Sequence, residues 1–106
     1  MRLGLDVGGT KTDAVAVTAA GDVVARVRLS TGWGPEQVVR TVLDAVAELG
    51  ADPAVNGGGY ASVGIGMPGQ IAPGTTRVLH AVNLGVEELD LAGAVGPTLG
   101  VPVRVE

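Results

Sequence analysis

Asp6 is the last residue but one of an alternating segment, Leu3-Gly4-Leu5-Asp6-Val7, and Gly8-Gly9-Thr10-Lys11-Thr12 follows at once. A carboxylate beside a glycine turn and a hydroxyl is a pattern that can handle phosphate. Glycines let backbone N–H groups approach a phosphoryl oxygen without a Cβ in the way, and the Thr10 hydroxyl can donate to the same oxygens. Asp6 can hold Mg²⁺, largely through water, because hard cations keep oxygen ligands. Lys11 can reach phosphate as a point charge or be solvated on the turn. Two better-known phosphate loops do not fit. Gly4 and Gly9 have the glycine spacing of a Walker A loop, but Thr10 stands where that loop needs Lys. A Rossmann loop continues into a helix, whereas Asp13 to Thr18 is β-branched and alternating. An ordinary glycine hairpin is the alternative, and the company of Asp6, Thr10 and Lys11 favours phosphate.

A second constellation is Val63-Gly64-Ile65-Gly66-Met67-Pro68-Gly69. Gly66 and Gly69 leave room for a ligand and Pro68 fixes the bend, although a tight turn leaving a buried strand has the same composition. Asn83 both donates and accepts, which matches sugar hydroxyls; asparagine also favours turns. His80, the one histidine, has no acidic partner at a recognisable spacing and reads as a partly exposed residue at a strand end. Trp33, between Gly32 and Gly34, is expected to pack under the following helix rather than bind sugar. Gly57-Gly58-Gly59 lacks a neighbouring carboxylate or threonine and reads as a flexible surface loop.

These residues need a frame, and 106 residues supply one domain with one core. A hydrophobic fraction of 46% is too high for a disordered segment. Glycine occurs 18 times, against about 7 for average usage, so many backbone positions need unusual angles or close approach. Trp33 and Tyr60 are the only aromatics, which leaves Val, Leu, Ile and Ala to build the core. The absence of cysteine excludes disulfides, thiolate metal sites and cysteine nucleophiles. The net charge of −4 and the lack of a basic run argue against nucleic acid as a partner. No apolar run reaches the roughly 20 residues of a membrane helix. Asp6 and the early glycines break any signal-peptide pattern, so a cytoplasmic location is expected.

Arg2–Val7, Asp13–Thr18 and Val23–Leu29 alternate as three antiparallel strands joined by turns at Gly8-Gly9 and Ala20-Gly21-Asp22. On the third, Arg26 and Arg28 share one face and Ala25, Val27 and Leu29 the other. Val39, Val42, Leu43, Val46 and Leu49 then follow helical spacing between Pro35 and Gly50. Ser62–Met67 is a nearly all-apolar strand, expected to be buried on both faces and reached by a parallel crossover. Pro68–Gly85 is loop-like, with a short strand at Arg77–Ala81. A weaker helix spans Asp90–Leu99, distorted by Gly96-Pro97, and Val101–Glu106 is a last strand. The expected fold is α/β, in the order β-β-β-α-β-α-β, with a mixed sheet of about five strands.

The segment from Leu3 to Thr12 resembles the first phosphate hairpin of the actin, Hsp70 and hexokinase superfamily, and specifically of the ROK sugar kinases and repressors. The similarity continues through Val63–Gly69, the family's G-x-P-G segment, and Ala81-Val82-Asn83-Leu84, to Gly100–Glu106. It therefore covers essentially the whole chain in order. The resemblance implies a ribonuclease-H-like, ATPase-like N-terminal lobe over residues 1–106. It implies ATP and Mg²⁺ as cofactors, with Gly8, Gly9, Thr10 and Lys11 at the phosphates and Asp6 at the metal. A hexose such as glucose is the implied substrate, walled by Gly66, Pro68 and Gly69, with Asn83 near it. In the kinases an Asn-Asp pair follows the strand corresponding to Val101–Glu106, and its Asp is the general base. That pair, the zinc motif and the adenosine-binding lobe are expected beyond Glu106, so this lobe holds no catalytic base and is expected to be inactive alone. A sugar-sensing repressor lobe and a non-catalytic interaction fragment are the alternatives. The repressors carry a winged helix ahead of the hairpin, whereas Met1 here begins the first strand. The face where a second lobe would pack also makes homo-oligomers an expectation.

Overall fold

The computed structural model describes residues 1–56 and 58–106, which leaves Gly57 of the expected glycine loop outside the described residues. Three antiparallel strands open the chain, β1 (Arg2–Val7), β2 (Lys11–Val17) and β3 (Val23–Ser30). Helices α1 (Pro35–Ala51) and α2 (Pro53–Asn56) lead to β4 (Ser62–Gly66). Then come β5 (Gln70–Ile71), β6 (Arg77–Ala81), a 3₁₀ turn over Val82–Leu84, β7 (Val86–Asp90), α3 (Leu91–Leu99) and β8 (Val103–Val105). The main sheet has the order β3-β2-β1-β4-β8, with β1, β4 and β8 parallel and β2 and β3 antiparallel. This is the five-stranded mixed sheet of a ribonuclease-H-like lobe.

Alternation decides which face is covered. Leu3, Leu5 and Val7 of β1, Ala14 and Ala16 of β2, and Val63 and Ile65 of β4 all point to one side. There they meet Val38, Val42, Ala45, Val46 and Leu49 of α1 and Leu91 and Val95 of α3. Alanines 14, 16 and 45 let helix and sheet approach closely. The buried stripe of α1 is centred on Val38, Val42, Ala45 and Leu49, while Val39 and Leu43 are half-buried at its margin. Among the described residues no helix is long and apolar enough to cross a membrane.

Two expectations need correction. Strand β4 is buried on one face only: its outward positions are Ser62, Gly64 and Gly66, and Gly64 is exposed. Glycines leave no side chain to cover, so an apolar composition did not mean two buried faces. Residues 86–90 form a strand within a second, three-stranded sheet of order β5-β6-β7. Glu87, Glu88 and Asp90 hide that strand, because acidic residues are depleted from strands in general. Here Arg77 pairs with Glu88 at 2.7 Å and Thr76 donates to Asp90 at 2.7 Å. The helix expected over Asp90–Leu99 is present as α3, with Asp90 as its cap, accepting from the Gly93 amide at 3.1 Å. Pro97 stands in the last turn and removes one amide donor without ending the helix, which runs on to Leu99 and the left-handed Gly100.

Candidate functional site

The carboxyl ends of the three parallel strands lie side by side, the position where open α/β sheets bind ligands. Asp6 is in register with Gly66 across β1 and β4. Just beyond β8, the Glu106 amide donates to the Ile65 carbonyl at 2.9 Å, and the Met67 amide donates to the Glu106 carbonyl at 2.8 Å. Asp6, the start of the Gly66–Gly69 bend and the end of β8 therefore share one edge.

The hairpin between β1 and β2 closes at the same end. Gly8 donates to the Lys11 carbonyl at 2.9 Å, and a Cβ on Gly8 would lie 2.8 Å from that oxygen. Only glycine fits there. Gly9 and Thr10 are exposed at the tip. On the open sheet face Asp6 stands opposite Asp13, whose carboxylate is taken by Arg28 at 2.6 Å. That partner holds the Arg28 guanidinium above its ordinary pKa, through the hydrogen bond first and the charge second. Asp6, by contrast, makes neither a side-chain hydrogen bond nor an ion pair among the described residues. It borders a concavity of about 400 Å³ lined also by Gly4, Gly64, Gly66, Arg104 and Glu106. Among the described residues no three His, Asp or Glu side chains gather around a metal position. A divalent cation at Asp6 would then draw most of its oxygen ligands from water and phosphate, which fits a hard ion.

The other candidates divide. Asn83 is exposed on the 3₁₀ turn, and its Cβ lies 3.4 Å from where a Cβ on Gly9 would stand, so the fold brings Asn83 to the hairpin. Gly66 and Pro68 are half-buried at the head of the bend. Gly69 has φ +95°, and a Cβ there would sit 2.7 Å from the Leu79 carbonyl oxygen and 3.2 Å from the Ala81 Cα. Its glycine is therefore required by packing on β6. Lys11 donates to Ser30 at 3.2 Å across β2 and β3. His80 is exposed, as expected, with φ 55° at the β6 end. Trp33 departs from expectation: it is 69% exposed, with its indole against Gly85 instead of under α1. The underside of α1 is already filled by Val38 and Val42. Gly32 and Gly34, both at positive φ, turn the chain so that the ring lies on the 82–85 segment, where the Gly34 amide donates to the Leu84 carbonyl at 2.7 Å.

A group of residues at the hairpin's base carries no motif. Thr12, Thr31 and Thr41 are buried, and Thr31 is hydrogen-bonded to each of the other two. Alternation could have found two of them, since Thr12 shares the inward face of Ala14 and Ala16, and Thr31 continues the face of Ala25, Val27 and Leu29.

Comparison with known proteins identifies the family. The model of the ROK family matches residues 2–106. Glucokinase from Streptomyces coelicolor is 30% identical over 106 residues, which is all of this chain and 32% of that protein. The crystal structure of a ROK family glucokinase from Streptomyces griseus, in complex with glucose and AMPPNP, superposes with a TM-score of 0.87. It is 30% identical, and the match covers 99% of this chain and 32% of that one. A ROK family transcriptional regulator, a homologue of the E. coli MLC protein, shares the fold with a TM-score of 0.84 at 20% identity, over 97% of this chain and 26% of that one. The chain thus spans about a third of the length of the glucokinases it matches.

Proposed function

Since the chain belongs to the ROK family, we propose that it is the N-terminal lobe of an ATP-dependent sugar kinase that phosphorylates a hexose such as glucose. The observation that carries this is Asp6: a carboxylate without a protein partner, beside a glycine hairpin and in register with the first glycine of the Gly66–Gly69 bend. Asp13, one strand away, is neutralised by Arg28, so of these two facing carboxylates Asp6 is the one left without a partner among the described residues. The glucokinases among its relatives, one of them solved with glucose and AMPPNP, support the same substrates here.

In this lobe the Gly9 and Thr10 amides and the Thr10 hydroxyl would be the donors to the phosphates, Gly8 shapes the turn by donating to the Lys11 carbonyl, and Lys11 adds charge once it leaves Ser30. Asp6 would hold Mg²⁺ through its water shell, and the ion when bound would neutralise charge on the transferred phosphoryl group. Gly66 and Pro68 wall the sugar, Gly69 shapes that wall, and Asn83 offers a donor and an acceptor beside the hairpin. The general base would follow Glu106, where the end of β8 is zipped to Met67 beside the sugar wall. A sugar-sensing lobe of a ROK regulator has the same fold; the carboxylate of Asp6 beside a glycine hairpin suited to metal-bound phosphate favours the kinase. The location is taken as cytoplasmic, with nucleotide and sugar as small-molecule partners and no role for nucleic acid.

A coupled assay with excess MgATP and a panel of hexoses tests the proposal. The longer protein should turn over at least one hexose. The 106-residue chain alone should not, since a positioned base contributes about 10²–10⁴-fold and cleft closure adds to it. Kinase-like turnover by the lone chain, surviving repurification, would contradict the assignment of the base beyond Glu106.

A further inference from the structure

Among the described residues the buried polar side chains are Thr12, Thr31 and Thr41, and all three meet at the base of the glycine hairpin. The rest of the core is Val, Leu, Ile and Ala. Valine would fill the same volumes without hydroxyls to satisfy, so three hydroxyls in one spot need a reason. Thr31 is the hub, fully buried, and each of its polar groups reaches a different element. Its amide donates to the Thr10 carbonyl at the hairpin tip, at 2.9 Å. Its hydroxyl shares a hydrogen bond with that of Thr12, at the start of β2, also at 2.9 Å. Its carbonyl accepts from the Thr41 hydroxyl on α1 at 2.9 Å. Gln37, in the first turn of α1, donates to Thr41 at 3.3 Å, and its aliphatic stem packs on Gly32.

We infer that Thr31 is a positioning residue, which with Thr12 and Thr41 locks the Gly8–Thr10 turn against the N-terminal half of α1. The hairpin amides are thereby held in their binding geometry before ligand arrives, so that binding does not have to order them. This rests on the proposal that the hairpin takes phosphate.

The test separates positioning from stability in the 106-residue chain. Thr31→Val leaves the Thr12 hydroxyl buried without a partner, whereas Thr12→Val with Thr31→Val removes both hydroxyls, which can be nearly neutral for stability. Thr31→Ser keeps the bond. Thermal melting, hydrogen exchange of the Gly8 and Thr31 amides, and MgATP-induced shifts of the Gly9 and Thr10 amide resonances are measured on each. The expected pattern is a lowered melting temperature in Thr31→Val that recovers in the double variant. Exchange should stay about fivefold faster, and MgATP binding about fivefold weaker, in both, as the loss of one net hydrogen bond implies. Thr31→Ser should behave as wild type. If exchange returns to the wild-type rate in the double variant along with stability, the threonines are core contacts and the inference is wrong. Should Thr31→Val fail to fold, the double variant and Thr31→Ser still decide. If the wild-type chain, which lacks the expected adenosine-binding lobe, shows no MgATP-induced shift, the exchange rates judge the lock on their own.

Discussion

Three alanine substitutions in the candidate site should part company, because the same added Cβ meets three different surroundings. At Gly69 the backbone has φ +95°, and the new atom would sit 2.7 Å from the Leu79 carbonyl oxygen and 3.2 Å from the Ala81 Cα. The conformational cost is about 1–3 kcal/mol. The overlap is with backbone, which cannot rotate away, and forcing β6 aside costs about 1–3 kcal/mol more. A total of about 2–6 kcal/mol is a large part of the about 5–15 kcal/mol that stabilises a domain. At about 4–8 °C per kcal/mol, the melting temperature should fall by at least about 8 °C. Gly66→Ala meets nothing closer than the Leu5 carbonyl oxygen at 3.7 Å and Asp6 Oδ1 at 3.9 Å. Gly9→Ala lies 3.4 Å from the Asn83 Cβ. Both should melt within about 1 kcal/mol of wild type, yet weaken ligand: Gly66→Ala by covering one side of Asp6, and Gly9→Ala by obstructing phosphate. Thermal and urea unfolding of the 106-residue chain reads the first effect, and MgATP and glucose titrations of the longer protein read the second. Equal melting temperatures for Gly69→Ala and Gly66→Ala would refute the steric reasoning.

Acid should loosen the second sheet. Thr76 and then the Gly93 amide hold the Asp90 carboxyl below the usual carboxylate range, and a depressed folded pKa gives stability that is present above the unfolded value and lost as pH falls through the folded one. Between about pH 5 and 2 the melting temperature of Asp90→Asn should therefore fall less steeply than that of wild type; parallel curves would remove Asp90 from the acid response. Trp33, the only tryptophan, should emit as a solvent-exposed indole that iodide quenches readily. Gly85→Ala, at φ +68° and under the ring, should raise that quenching and cost about 1–2 kcal/mol; a blue-shifted, iodide-resistant emission in wild type would contradict the placement of the ring.

Much of the main sheet was legible because its signals are local. Alternation marks β1 to β3, and a change of period between Pro35 and Gly50 marks α1. The Gly8-Gly9 turn and the Gly66–Gly69 bend announce themselves by composition. What was not legible depends on partners distant in sequence. The acidic strand Val86–Asp90 is a strand only because β6 offers its edge, Arg77 and Thr76. One face of β4 looked buried because Gly64 and Gly66 count as apolar while presenting nothing to bury. Trp33 was expected under α1, but glycines on both sides send it to Gly85, a residue that no spacing rule connects to it. The site shows the same split: Asp6 and the hairpin can be read from the residues themselves. The nearness of Asn83 to Gly9 and the threonine cluster behind the hairpin belong to the fold.

Asp6, unlike the paired Asp13 opposite it, is the carboxylate proposed to serve phosphoryl transfer. Asp13 provides the control, since it stands opposite Asp6 on the same face but is already paired with Arg28. The decisive measurement is steady-state kinetics of the longer protein with glucose and MgATP, comparing Asp6→Asn with Asp13→Asn. Asp6→Asn should lower kcat by about 10²-fold or more with little change in sugar affinity, the signature of an interaction made mainly in the transition state. Asp13→Asn, which removes the same charge one strand away, should stay within about threefold of wild type, as expected for an exposed ion pair. Equal losses in the two variants, or full activity in Asp6→Asn, would contradict the account.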